Sequence, residues 1–163
     1  MELNPKAQRL FEQVYPGLIT KLQSLGPGRF LEDNPPYRIL GFDQTSITAF
    51  STVVRYGFDD SMLVRICDSL EFIDGKWKSF HHAYHCGPDH KDIKSYYFRI
   101  DLDEVHSHHV HLKGFYYKED DPHIPASLIE PSVISITPFE FLDLVARYRS
   151  TKRLPLKPKK DKK

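Results

Sequence analysis

Apolar residues recur at three- and four-residue spacing near the start of the chain, at Leu10, Phe11, Val14, Leu18, Leu22 and Leu25. That spacing lines one side of a helix. Asn4-Pro5 reads as an N-cap followed by proline at the first helical position, where a missing N–H leaves no helical bond unmade. Pro16-Gly17 interrupts the stripe, which predicts a kink or two short helices rather than one straight rod. Gly26-Pro27-Gly28 ends the helical region, and a loop through Asn34-Pro35-Pro36 leads on.

From there the pattern changes to that of strands. Residues 37–42 open the series, and residues 45–56 are rich in Thr, Val, Ile and Phe. Residues 61–73 place Met62, Val64, Ile66, Leu70 and Phe72 on one parity, the alternation of a half-buried strand. Asp59-Asp60 marks a turn, and Asp74-Gly75 marks a two-residue hairpin, because both central positions of a type I′ turn need positive φ. Segments 76–86, 93–102 and 109–117 follow, the first two separated by Gly87-Pro88-Asp89. Short connections favour antiparallel neighbours.

Thr137-Pro138-Phe139-Glu140 has the spacing of a capping box, and Phe141, Leu142, Val145 and Tyr148 supply the apolar side of a final helix. The expected class is α+β: an antiparallel meander of five to six strands with N-terminal and C-terminal helices packed on it. Residues 1–150 are expected to form a single domain and residues 151–163 a disordered basic tail.

Charge sharpens that division. Of 23 basic and 22 acidic residues, the last thirteen positions hold seven Lys/Arg and only Asp161, which leaves 16 basic and 21 acidic residues in the body, a net of −5. Phosphate affinity needs clustered positive charge, so the body is not a general nucleic-acid binder by composition. The tail can add sequence-blind attraction to RNA or DNA, or simply be a solvated end. Cys67 and Cys86 lie inside strand-like runs without a CxxC arrangement, which points to reduced thiols rather than a disulfide framework. No apolar run approaches the ~18–20 residues needed to span a bilayer. The opening Met1-Glu2-Leu3-Asn4-Pro5 lacks the basic-then-apolar order of a signal peptide. A cytoplasmic protein without membrane association is the expectation.

All nine histidines fall between His81 and His123. Residues two apart on a strand share a face, so Arg99 and Asp101 point one way together, as do His109 and His111. A turn centred near Val105 sets Asp101 opposite His109 and Arg99 opposite His111, with Cβ atoms ~5 Å apart. The preceding strand adds a third column whose parity is open: one register brings His81 and His85 to the patch, the neighbouring one His82 and Tyr84. His90, His106 and His123 read as loop residues at the surface.

A half-exposed, hydrogen-bonded sheet face with structural histidines is the plain interpretation of any one of these residues. Their density beside Arg and Asp favours acid–base work. One possibility is a metal, with His109-x-His111 as two ligands and His85 or Asp101 as a third, although neither HExxH nor a cysteine set is present. The other is phosphodiester chemistry that needs no metal and no cofactor. One imidazole would take the proton of a ribose 2′-OH while a second protonates the leaving 5′-oxygen. Arg99 would stabilise the charged phosphate, and Asp101 would orient His109.

Tyr84-His85, Phe98-Arg99-x-Asp101 and His108-His109-x-His111 together resemble the pattern of the TumE family of bacterial toxin–antitoxin toxins, over roughly residues 60–147. The Asp101–His108 loop is shorter here than in typical members. The resemblance implies a cytoplasmic toxin that cleaves RNA or interferes with translation, paired with a small helix-turn-helix antitoxin. It carries forward His85, Arg99, Asp101, His109 and His111 as candidate catalytic residues. The expectation is therefore a metal-independent ribonuclease or translation inhibitor acting on RNA. The alternative is a non-catalytic module that binds a protein partner.

Overall fold

The computed structural model describes residues 5–31, 37–44, 46–88, 96–103, 107–112, 123–125 and 136–154. The fold is α+β. The N-terminal apolar stripe forms two helices, α1 (Pro5–Val14) and α2 (Leu18–Ser24), broken where Pro16-Gly17 interrupts it. Gly17 adopts a φ of 80° there, a conformation that a residue without Cβ reaches without strain. The strands are β1 (Gly28–Leu31), β2 (Tyr37–Asp43), β3 (Ser46–Phe58), β4 (Met62–Ile73), β5 (Lys76–Pro88), β6 (Phe98–Asp103), β7 (Ser107–Leu112) and β8 (His123–Pro125). Helix α3 (Pro138–Thr151) follows.

All eight strands belong to one antiparallel sheet in the order β1-β3-β4-β5-β6-β7-β8, with β2 also on β3. Strands β1 and β2 share one edge of β3: Gly28–Leu31 pair with its C-terminal end and Tyr37–Asp43 with its N-terminal half. The two short strands β1 and β8 extend the expected meander. Gly28, read from the sequence as part of a terminating loop, opens β1, where a Cβ would collide with the Gly57 carbonyl oxygen. Asp74 and Gly75 both take positive φ, 51° and 75°, as the β4–β5 hairpin turn requires. Farther along that hairpin Ser69 pairs with His81 but Leu70 with Ser79, so Phe80 is an extra, bulged residue.

One face of the sheet packs against the helices. Phe50, Val54, Val64, Ile66, Tyr84, Phe98, Ile100 and Val110 point to it and are almost fully buried. Phe141 of α3 meets Tyr84 and Phe98 at centroid separations of 5.4 and 5.8 Å. Thr137 caps α3, its N–H donating to Glu140 Oε2 at 2.7 Å. This is the capping box read from the sequence. Leu154 is buried in the same core, so the chain is still packed just beyond Thr151; residues 155–163 of the proposed tail lie outside the described residues, as do Asn4, His90 and His106. No described helix is long and apolar enough to cross a membrane. Cys67 and Cys86 are free thiols.

Candidate functional site

The opposite face of the sheet carries the candidate residues. The β6–β7 ladder pairs Arg99 with His111 and Asp101 with His109, the register anticipated from loop length. The β5–β6 ladder pairs His85 with Arg99 and Ala83 with Asp101, which settles the open parity in favour of His81 and His85. His85, Arg99, Asp101, His109 and His111 therefore lie on one face. His123, read as a loop residue, begins β8 with its backbone opposite His111. A strand of three residues that itself ends on a proline shows too few alternations to be recognised from sequence.

Within the patch, Arg99 Nε donates to Asp101 Oδ2 at 2.8 Å, and Nη2 forms an ion pair with the same oxygen at 2.6 Å. His111 Nε2 lies 3.3 Å from that oxygen and His109 Nε2 lies 4.0 Å from it. The carboxylate thus serves His111 across the diagonal more closely than His109, the residue it directly faces. Burial raises the Asp101 pKa, yet the His111 hydrogen bond and the Arg99 charge outweigh it and hold the group below its ordinary value. Asp101 Oδ1 is buried and has no hydrogen-bond partner among the described residues.

His111 Nε2 is also 3.4 Å from Arg99 Nη2. A protonated Nε2 donates to Asp101, whereas an unprotonated Nε2 accepts from the guanidinium. The nitrogen therefore keeps a partner in either state, a useful property in a proton carrier.

Tyr96 was not singled out by sequence reasoning. It is buried, meets His85 and His111 edge-on at 6.0 and 6.4 Å, and has the Arg99 guanidinium 5.6 Å from its ring centroid. Alternation back from Arg99 would assign Tyr97 to this face instead. Tyr97 stacks on Tyr148 of α3 at 5.3 Å, so the regular alternation stops before β6 begins. The Arg99 side chain is 28 % exposed and those of His109 and His111 are 4 % and 3 %. Arg99 is the most exposed side chain of the patch, and the imidazoles are buried.

Asp101, His109 and His111 can also offer one ligand atom each within 4.8 Å of one another. Two imidazoles and a carboxylate are a donor set suited to a divalent transition metal.

His82 and Tyr84, the alternative pair, face the helices and join a second polar cluster. Asp68, fully buried, accepts hydrogen bonds from the hydroxyls of Tyr15 at 2.7 Å, Tyr84 at 2.8 Å and Ser79. His82 stacks on Tyr84 at 4.2 Å, and its Nδ1 is 3.2 Å from Ser79 Oγ. Burial pushes the Asp68 pKa up to about 6 even though three hydroxyls pull it down. The cluster is centred on the buried Asp68 and acts as a polar clasp between the α1–α2 connection, β4 and β5.

No protein-family model, curated protein or solved structure matches the chain.

Proposed function

We propose that the protein is a toxin-like ribonuclease of a toxin–antitoxin pair, acting on RNA in the cytoplasm through the His/Arg/Asp face. The observation that carries this is the placement of Arg99 between His85 and His111, with Asp101 bound to the guanidinium and next to His111. An RNA phosphate would meet Arg99, the most exposed of these groups. His111 would exchange a proton with the ribose 2′-OH or the leaving oxygen, and His109 or His85 would carry the complementary proton. Asp101 would orient His111, and Arg99 would stabilise the charge that develops on the phosphate. The similarity of Tyr84-His85, Phe98-Arg99-x-Asp101 and His108-His109-x-His111 to the TumE pattern supports the toxin role and a helix-turn-helix antitoxin as partner.

The test is expression in bacteria of the wild type and of an Arg99→Ala, His109→Ala double variant, matched for soluble yield. Growth arrest and RNA degradation are expected with the wild type alone. Equal growth with intact RNA in both strains would remove the proposal.

A specific observation favours a second function, a metal-dependent hydrolase. Asp101, His109 and His111 converge with buried ligand atoms, and Asp101 Oδ1 lacks a donor among the described residues. A metal held there would supply Lewis-acid activation, with Arg99 still facing the phosphate. Elemental analysis of purified protein separates the two functions.

A further inference from the structure

The pairing of the sheet places basic residues opposite one another across strand after strand. Arg55 of β3 pairs with Arg65 of β4, Arg65 with His85, His85 with Arg99 and Arg99 with His111. No carboxylate occupies a rung of that row, although Asp101 from two residues along β6 binds Arg99 at one end of it, and its continuation on β8 is the backbone position of His123. Arg29 and Arg38 are exposed on the same face, on β1 and β2. All five arginines in the described strands thus point away from the helices, in a body whose net charge is −5.

Like charges directly opposite one another destabilise a sheet. Arg55 and Arg65, both half-buried, stand directly opposite each other, and a third arginine, Arg99, follows two strands on. Placing every strand arginine on one face of an acidic protein concentrates positive potential where an anion would lie. Three strand steps separate Arg55 from Arg99, a span of ~14 Å, which is too long for one phosphate group and suits a chain of several.

We infer that a single strand of RNA lies across the sheet along this row, perpendicular to the strands, with backbone phosphates on Arg55 and Arg65 and the scissile phosphate at Arg99. The inference rests on the ribonuclease function and adds to it the direction of the substrate and two binding residues outside the catalytic patch. Arg55 and Arg65 hold the strand and take no part in proton transfer. The track engages the backbone and leaves the bases unread, as phosphate contacts do.

The test measures binding of a fluorescein-labelled, 2′-O-methylated single-stranded RNA to the full chain over a series of salt concentrations. Methylation removes the attacking hydroxyl, so binding is read without cleavage. Arg55→Gln with Arg65→Gln should weaken binding about tenfold and reduce the slope of log affinity against log salt by about 1.4, two phosphate contacts' worth for a single strand. Arg55→Lys with Arg65→Lys should restore most of the affinity and shows that the fold survives. Arg9→Gln with Arg147→Gln removes the same charge from α1 and α3 and should leave affinity within about twofold. Equal losses in the two Gln pairs, or none in either, would overturn the track. Cleavage of unmodified RNA is assayed separately. RNA cut by a chain whose Arg55/Arg65 variant binds normally sinks the track alone, and row-dependent binding without cleavage sinks the ribonuclease function alone.

Discussion

Arg99 and Asp101, two residues apart on β6, meet through a single carboxylate oxygen: both Nε and Nη2 of the guanidinium reach Oδ2, at 2.8 and 2.6 Å. This grip fixes the plane of the guanidinium and leaves Oδ1 outside it. A lysine cannot reproduce it, because an ammonium is a point charge without a rigid fork.

Arg99→Lys is therefore expected to lower RNA cleavage about a hundredfold, close to the effect of losing one donor to a charged transition state. Thermal unfolding of the variant should stay near that of the wild type. Measuring initial rates on a labelled RNA beside the melting curve checks both, and full activity in Arg99→Lys would contradict the role given to the fork.

Removal of metal distinguishes the two functions proposed for the patch. Under the leading one, prolonged dialysis against a chelator leaves cleavage unchanged, and elemental analysis finds no metal near stoichiometry. Loss of activity that returns with a divalent transition metal would assign Asp101, His109 and His111 as its ligands.

Asp68 makes stability depend on pH. Its folded pKa, about 6 against an ordinary 3.8, means that between these values the folded state binds more protons than the unfolded one. Its contribution to stability therefore falls as pH rises through that window and is lowest above it, a change of about 3 kcal/mol. The hydroxyls of Tyr15, Ser79 and Tyr84 and the Ser69 backbone bind the group, His82 lies beside Ser79, and Glu140 faces Tyr15. Urea unfolding of wild type and Asp68→Asn at pH 4 and pH 7 should show the variant gaining on the wild type as pH rises. Parallel profiles would show that Asp68 titrates as an ordinary carboxylate.

The capping box of α3 gives a prediction for stability alone. Thr137→Ala removes the cap from a helix whose Phe141, Leu142 and Val145 fill the core, and it should lower unfolding free energy by about 1 kcal/mol. Equilibrium urea denaturation measures this directly, and cleavage by the folded variant should not change.

Much of this architecture could be read from local signals. The break at Pro16-Gly17, the Asp74-Gly75 turn and the Thr137–Glu140 cap each rest on backbone preferences that act within a few residues. The facing of Arg99 with His111 and of Asp101 with His109 also followed, since a short connection limits the register. The position of β5 did not follow, because His81, His82, Tyr84 and His85 offer polar candidates on both parities and the linking segment is longer. Asp68 decides it in space: its carboxylate takes the Tyr84 hydroxyl on the helix side and leaves His85 to Arg99. Tyr96 and the Arg55–Arg65 pairing were hidden for related reasons. The first lies where alternation fails, and the second joins residues whose opposition depends on the length of a whole hairpin.

The bulge at Phe80 has a consequence for how the gene can change length. Ser79 and His81 already occupy consecutive rungs opposite Leu70 and Ser69, so excising Phe80 closes the ladder without moving any partner and removes a side chain that is 44 % exposed. Excising Ala83 a few codons later would exchange the two sides of the strand beyond it, carrying His85 into the oily interior opposite Ile100 and Tyr84 out to face Asp101. Two deletions of equal size, three residues apart, thus fall on opposite sides of what the molecule can absorb.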